Sequence, residues 1–474
     1  MINTKLIKLL QSLEEGEFKR LYPFLKSPYH NSNRHIIELF AYLRECHPHW
    51  DSRRLAKEKV FHKLFPGQEF DLNKLRKLMT MLTQLVEEYI LTLELEHETT
   101  LKKKLLVSAY NRRNLFPFFD KNARELVSDL EDAPHRNRAY HYECAHLNEL
   151  LFNHPDTDIK KEGQALLTQA MEHLDSYYFL SKLQIVAEMR ARENILAEKY
   201  SIPLLEEVIQ ESGQRFGSGN LLYQLYINII NFHQADVDSP AFSDTLTLFR
   251  KLLPGIDQRE QQTILNHLAN YCIRMINQGD SNYRKALFEL YLLRIETNLL
   301  IEKNQITEIT FSNIVATGAS LKAFDWTRDF IEEYAPFLKE KIREDIKALS
   351  YGLWHFNKKE YDQVEQKLLG HNFSDMLNLL KSRCLLIRTY YEQFLLNDNY
   401  YLFLIDQCNA FEKFILRHTR ISKGKSEAYL NFIRFTKKLA QKVINQEDTS
   451  VLIKPLQNQT LITYKEWLLE KMSQ

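Results

Sequence analysis

The chain has 474 residues, 44% of them apolar, with only 12 glycines and 12 prolines. That length exceeds one compact core and predicts about three domains or one extended array; the apolar share excludes a disordered chain, and the shortage of Gly and Pro argues against sheet-rich folds, whose turns need both. A net charge of +1, from 63 basic and 62 acidic side chains, excludes a strong overall attraction for nucleic acid.

The first 98 residues read as five helices forming an N-terminal bundle. Leu6, Leu9, Leu10 and Leu13 recur at helical spacing, and Phe18, Leu21, Tyr22 and Leu25 repeat the pattern. Ser27-Pro28 stops the second helix, because the residue before proline avoids the helical region. A third helix carries Ile36, Leu39, Phe40 and Leu43 and ends near Pro48; a fourth carries Val60, Phe61, Leu64 and Phe65 and ends at Pro66-Gly67. Asp71 then caps the fifth, whose stripe runs through Leu72, Leu75, Leu78, Met79, Leu82, Leu85, Val86, Tyr89, Ile90 and Leu93.

Residues 99–260 read as a middle set of helical hairpins. Breaks fall at Asp132-Ala133-Pro134 and His154-Pro155-Asp156. Gly213–Asn220, which holds three glycines, is the expected linker, and Ala235–Pro240 a further loop. No stretch shows the period of two expected of a half-buried strand.

Residues 261–474 carry an internal repeat. Gly279-Asp280 precedes Tyr283 and Ala286; Phe324-Asp325-Trp326 precedes Asp329; Lys359-Glu360-Tyr361 precedes Val364; Asp398-Asn399-Tyr400 comes last. The aromatics Tyr283, Trp326, Tyr361 and Tyr400 are 43, 35 and 39 residues apart. Each marks the turn of a helical hairpin, where the aromatic plugs the pair; the small residue three positions on, which lets the helices approach, is kept only as Ala286. Gly352 precedes Tyr361 where the first helix of such a unit carries its glycine. Over residues 265–415 the chain therefore resembles degenerate tetratricopeptide repeats. The turn glycine is missing from three of the four units. Tyr429, Phe432, Phe435, Leu439 and Val443, then Pro455 and a helix with Leu461, Tyr464, Trp467 and Leu468, read as C-terminal capping helices. The expected fold is all-α: an α-solenoid of helical hairpins behind an N-terminal bundle.

The chain is also similar to a group of bacterial helical proteins of similar length. The phrases that carry this are Phe24-Leu25-Lys26-Ser27-Pro28-Tyr29, Leu64-Phe65-Pro66-Gly67, Tyr390-Tyr391-Glu392 and Trp467-Leu468-Leu469-Glu470-Lys471. The resemblance implies the helical-repeat fold and no particular activity.

Five scattered cysteines without a C-x-x-C pair read as free thiols of a reducing compartment. With no signal-like or membrane-spanning stretch, the expected location is cytoplasmic. Cys46-His47-Pro48-His49 and His141, Cys144 and His146 gather possible ligands, but no second pair completes a tetrahedral zinc site. No H-E-x-x-H, phosphate loop or nucleophile elbow is present. The expectation is no catalysis, no metal and no cofactor.

Arg383, Arg388, Tyr390 and Tyr391 lie on one predicted helix and are residue types enriched at binding hot spots. They are the candidate contact for a partner protein or peptide in a helical groove. The chain ends are basic: residues 1–77 carry fifteen Lys and Arg against nine Asp and Glu, and residues 415–454 nine against three. Arg417, Arg420, Lys423 and Lys425 form the densest cluster and the candidate anionic contact, whereas Lys102-Lys103-Lys104 and Arg112-Arg113 read as solvated faces. The leading expectation is a protein-binding scaffold. The alternatives are a nucleic-acid-associated regulator gripping phosphates with its basic ends, and an enzyme with a site assembled from several repeats.

Overall fold

The computed structural model describes residues 1–474 apart from 52, 133–134, 156, 159, 197–198, 217–220, 235–239, 419–420, 474 and the side chains of 195, 196 and 216. Among the described residues the regular structure is helical, with no strand beyond an isolated bridge between Glu302 and Gln305. The chain divides into two units, one of residues 1–133 and 144–170, the other of residues 134–143 and 171–474.

The first unit opens with α1 (Lys5–Ser12), α2 (Glu15–Lys26), α3 (Arg34–Arg44), α4 (Lys57–Leu64) and α5 (Leu72–His97). These are the five helices expected. Asp71 caps α5, its carboxylate accepting from the amides of Asn73 and Lys74 at 2.8 and 3.0 Å. The apolar stripe of α5 is the post around which the other four pack, burying Phe18, Phe40, Phe61, Leu82 and Val86 in one core. Tyr89 fastens α5 to α2 by donating its hydroxyl to the Glu17 carbonyl at 2.8 Å. Next, α6 (Thr99–Arg112) and α7 (Phe116–Glu131) pair over a smaller core containing Val107, Phe119 and Ala123. The unit division passes through α8 (Arg138–Phe152) and α9 (Gly163–Leu196).

The second unit continues with α10 (Leu205–Phe216), α11 (Leu221–Gln234), α12 (Pro240–Leu252), α13 (Gln258–Asn277), α14 (Tyr283–Glu296), α15 (Glu308–Ser320), α16 (Phe324–Tyr334), α17 (Glu340–Asn357), α18 (Tyr361–Leu369), α19 (Met376–Leu396) and α20 (Tyr400–Arg417). Successive helices pair as hairpins: α11 with α12, α13 with α14, α15 with α16, α17 with α18 and α19 with α20. The first helices of neighbouring hairpins also touch, α11 with α13, α15 with α17 and α17 with α19. Gly213 lies inside α10 rather than in a linker; the remainder of that expected linker and of the 235–240 loop, and residues 133, 134 and 156 of the two earlier breaks, fall wholly or largely outside the described residues.

The aromatics singled out by the repeat each begin the second helix of a hairpin. Tyr283, Tyr361 and Tyr400 are the first residues of α14, α18 and α20, and Trp326 the third of α16. Three of the turns share one geometry. The amides of Asp280, Ala323 and Glu360 reach back to the carbonyls of Met275, Gly318 and His355, five residues earlier, at 3.0 Å each. This closure needs a left-handed residue just past the helix. Gly279 supplies it at φ 106°, and Lys322 and Lys359 supply it at φ 59° and 63°. The glycine missing from two of the degenerate turns is thus replaced by a lysine that accepts the strained conformation.

After α20 come α21 (Lys423–Ile444), the short α22 (Ile453–Gln457) and α23 (Lys465–Met472). Here α23 turns back onto the hairpins, touching α13 and α21. Trp467 packs against Tyr391 of α19 and Phe432 of α21, and Glu466 pairs with Arg284 at the start of α14. No helix among the described residues is long and apolar enough to cross a membrane.

Candidate functional site

Chemistry-bearing side chains converge at four places in the second unit. On α13, Glu260, His267 and Arg274 recur every seven residues and so share a face. Glu260 accepts from Gln184 at 2.8 Å and from the Tyr226 hydroxyl. His267 Nδ1 lies 3.1 Å from His233 Nε2, and Arg274 donates to the Phe232 and His233 carbonyls at 2.9 and 3.1 Å. Burial raises the Glu260 pKa and lowers those of His233 and His267 to about 2 and about 4. Every shift favours the neutral form, which is what desolvation does to a structural seam. A second such pair, His141 and His173, sits 3.1 Å apart at Nδ1.

Asp345, His371 and Ser374 assemble the residue types of a hydrolytic triad, but not its arrangement. His371 Nε2 and Ser374 Oγ both donate to the Asp345 carboxylate, at 2.8 and 3.0 Å, so the serine is not bonded to the imidazole that would activate it. The amides of Ser374 and Asp375 join them at 3.0 Å each. Desolvation pushes the Asp345 pKa up, but these donors outweigh it and hold it below its ordinary value. Asp345, on α17, is the clasp of the loop between α18 and α19.

Cys46 is buried, its thiol pKa raised by burial, and His47 stacks on Phe18 with centroids 4.3 Å apart. His141 Nδ1 lies against His173 Nδ1 of α9. Among the described residues, no group of three or more His, Cys, Asp or Glu is placed to hold a metal ion.

The fourth place is α19. Tyr390 and Tyr391 are buried, at 2% and 1% exposure, in the chain's own packing. Tyr390 packs edge-on against Phe403 and Tyr391 against Trp467. The face of α19 expected to line a groove is therefore partly filled by the chain's own α23. The two arginines behave differently. The Arg383 guanidinium lies over the Phe414 ring at 4.5 Å. That of Arg388 lies over Phe356 at 4.5 Å, Tyr464 at 5.0 Å and Trp467 at 5.5 Å. Each has a buried Nε with no acceptor. Burial lowers the pKa of both, in Arg388 against the opposing pull of Tyr464 and Glu392; an arginine stays charged regardless. Ring contacts at about 1 kcal/mol each offset only part of the several kcal/mol that desolvating a cation costs.

Glu392, one turn beyond Arg388, is committed elsewhere. It pairs with Lys471 at 2.9 Å and accepts from the Trp467 indole at 3.3 Å. Arg417, Lys423 and Lys425, at the facing ends of α20 and α21, are exposed and have no acidic partner among the described residues. Arg420 lies outside the described residues. The aromatic box of Arg388 was not legible as a site, since Phe356, Tyr464 and Trp467 are more than a hundred residues apart at the extremes and share no period.

No family model, no curated protein and no solved structure matches the chain.

Proposed function

We propose that the chain is a binding scaffold: an α-solenoid of tetratricopeptide-like hairpins, capped by its C-terminal helices, that recruits a protein partner in the cytoplasm and performs no chemistry. Stacked hairpins give an extended surface on which first helices lie side by side. The contacts among α11 and α13, and among α15, α17 and α19, support this arrangement. The observation that carries the binding role is the pair of charged guanidiniums on α19, Arg383 and Arg388, held on aromatic rings without an acceptor. Arginine on aromatic surface is the kind of group on which partner affinity concentrates.

The test is capture of partners from host lysate by the tagged protein, with and without nuclease, beside an Arg383→Gln variant. Stoichiometric proteins that survive nuclease and are lost from the variant support the scaffold. The exposed Arg417, Lys423 and Lys425 favour a second reading, contact with nucleic-acid phosphates. In that case nuclease strips the companions, and binding weakens steeply with salt as counterions are released.

A further inference from the structure

We propose that Arg388 is the receptor for a carboxylate, the side chain of an Asp or Glu carried by the protein partner, held edge-on by the guanidinium within the box of Phe356, Tyr464 and Trp467. This rests on the scaffold reading and names the chemistry that the partner brings. Among the described residues, five arginines have a buried Nε with no acceptor. Three of them commit their terminal nitrogens inside the chain. Arg190 bonds Glu193 at 2.7 Å, Arg274 the Phe232 and His233 carbonyls, and Arg343 the Pro336 and Leu338 carbonyls at 2.8 and 3.1 Å. Arg383 and Arg388 make no hydrogen bond or ion pair among the described residues. Arg388 has the more complete enclosure, with rings from α17 and from the C-terminal segment covering it. As a whole residue Arg388 is of intermediate exposure, although its Nε is buried.

Rings do not satisfy the N–H donors of a guanidinium, and those of Arg388 have no acceptor among the described residues. A planar carboxylate matches the donor edge of a guanidinium with two parallel hydrogen bonds. The surrounding charge selects a monoanion. Glu392 is already paired with Lys471, and a phosphate dianion would lie against Glu392 and Glu470, whose charges both act on Arg388. Trp467 reports on the site, because its ring stands over the guanidinium and its indole donates to Glu392.

The experiment titrates the full-length protein at constant ionic strength, following tryptophan emission and binding heat. The probes are sodium acetate, inorganic phosphate, and an end-blocked Gly-Glu-Gly peptide beside its Gly-Gln-Gly counterpart. Variants are Arg388→Met, Arg388→Lys and Trp467→Phe, each checked for native helical content. The expected result is a weak, saturable response to acetate and to the Glu peptide, absent with the Gln peptide. It should be lost in Arg388→Met and about tenfold weaker in Arg388→Lys, which keeps charge but not the planar fork. A Glu peptide that binds more tightly than acetate points to a protein source, and the reverse order to a free small carboxylate, which overturns the assignment to a partner side chain. A stronger response to phosphate overturns the choice of carboxylate. A wild-type protein that responds to no carboxylate overturns the proposal without need of any variant. A partner captured by wild type and retained by Arg388→Met leaves the scaffold standing and removes this site from it. Acetate binding with no captured partner does the opposite.

Discussion

His233 Nε2 and His267 Nδ1 lie 3.1 Å apart with both rings buried. One nitrogen carries the shared proton and the other accepts it, so a second proton has no favourable place. Burial, with the neighbouring histidine and Arg274, brings His233 from 6.5 to about 2, and burial brings His267 to about 4. His141 is likewise lowered to about 4, by burial and by His173. The folded values lie below the unfolded value, so the unfolded chain binds more protons as pH falls. Stability is complete above pH 6.5 and is lost progressively toward pH 4. A drop from 6.5 to about 4 corresponds to roughly 3 kcal/mol for each pair. Tm measured from pH 7.5 to 4.5 should fall steeply, and less steeply in His267→Gln. A flat profile in wild type sinks the argument.

Asp345 gathers four donors from one loop, and its loss strands the amides of Ser374 and Asp375 and the ring of His371. Asp345→Ala should destabilise the second unit by about 2–4 kcal/mol, because unpaired buried donors cost their full desolvation. Ser374→Ala removes one of the four donors and should cost about 1 kcal/mol. Urea midpoints for the two variants check the ranking, and equal losses would contradict the clasp.

Gly318 and Gly213 both lie inside helices, but substitution should act on them with opposite sign. A Cβ on Gly318 would stand 2.5 Å from Thr327 Oγ1 and 3.3 Å from the Trp326 ring. Thr327 cannot yield, being fully buried and bonded to the Ala323 carbonyl at 2.7 Å. A Cβ on Gly213 meets nothing within 4 Å. Gly318→Ala should cost about 1–3 kcal/mol through overpacking, whereas Gly213→Ala should gain up to about 1 kcal/mol of helix propensity. Thermal melts of the two alanine variants would show it.

Hairpin turns were the most legible feature of the sequence, and their chemistry explains where legibility stopped. Tyr283, Trp326, Tyr361 and Tyr400 could be read because a turn aromatic is local to its helix pair. Gly352 could be read for the same reason, and its Cβ position is 2.9 Å from Leu368 of the partner helix. Lys322 and Lys359 could not, because nothing in a lysine announces a positive φ. The functional face was half legible. Arg383 and Arg388 stand out by type, but the packing of Tyr391 against Trp467 comes from α23 returning over α19, a contact between residues some 75 positions apart that no local pattern encodes.

If Lys322 and Lys359 hold the left-handed turns against their preference, glycine should relieve them. A non-glycine residue pays roughly 1–2 kcal/mol for that conformation, so Lys322→Gly and Lys359→Gly should each stabilise by about 0.5–1 kcal/mol. Lys358→Gly, one residue earlier and outside the left-handed region, should destabilise. Denaturant unfolding of the three variants distinguishes turn relief from a general effect of glycine.

Glu392 decides whether α23 stays seated. Its carboxylate, with the side chain 14% exposed, bridges Lys471, 11% exposed, and the Trp467 indole. Lys471→Ala leaves that carboxylate with the indole alone at 3.3 Å, an expected loss of roughly 3 kcal/mol, the lower end for a broken buried pair. Replacing both partners, Lys471→Met with Glu392→Leu, removes the stranded charge and keeps the volume, so most of the loss should return. The cycle also reads on the aromatic box. Trp467 emission should shift to the red in Lys471→Ala, as α23 loosens and water reaches the ring, and should recover in the double variant. Equal stability of Lys471→Ala and wild type would mean that apolar packing of Trp467 and Leu468 seats α23 without the ion pair.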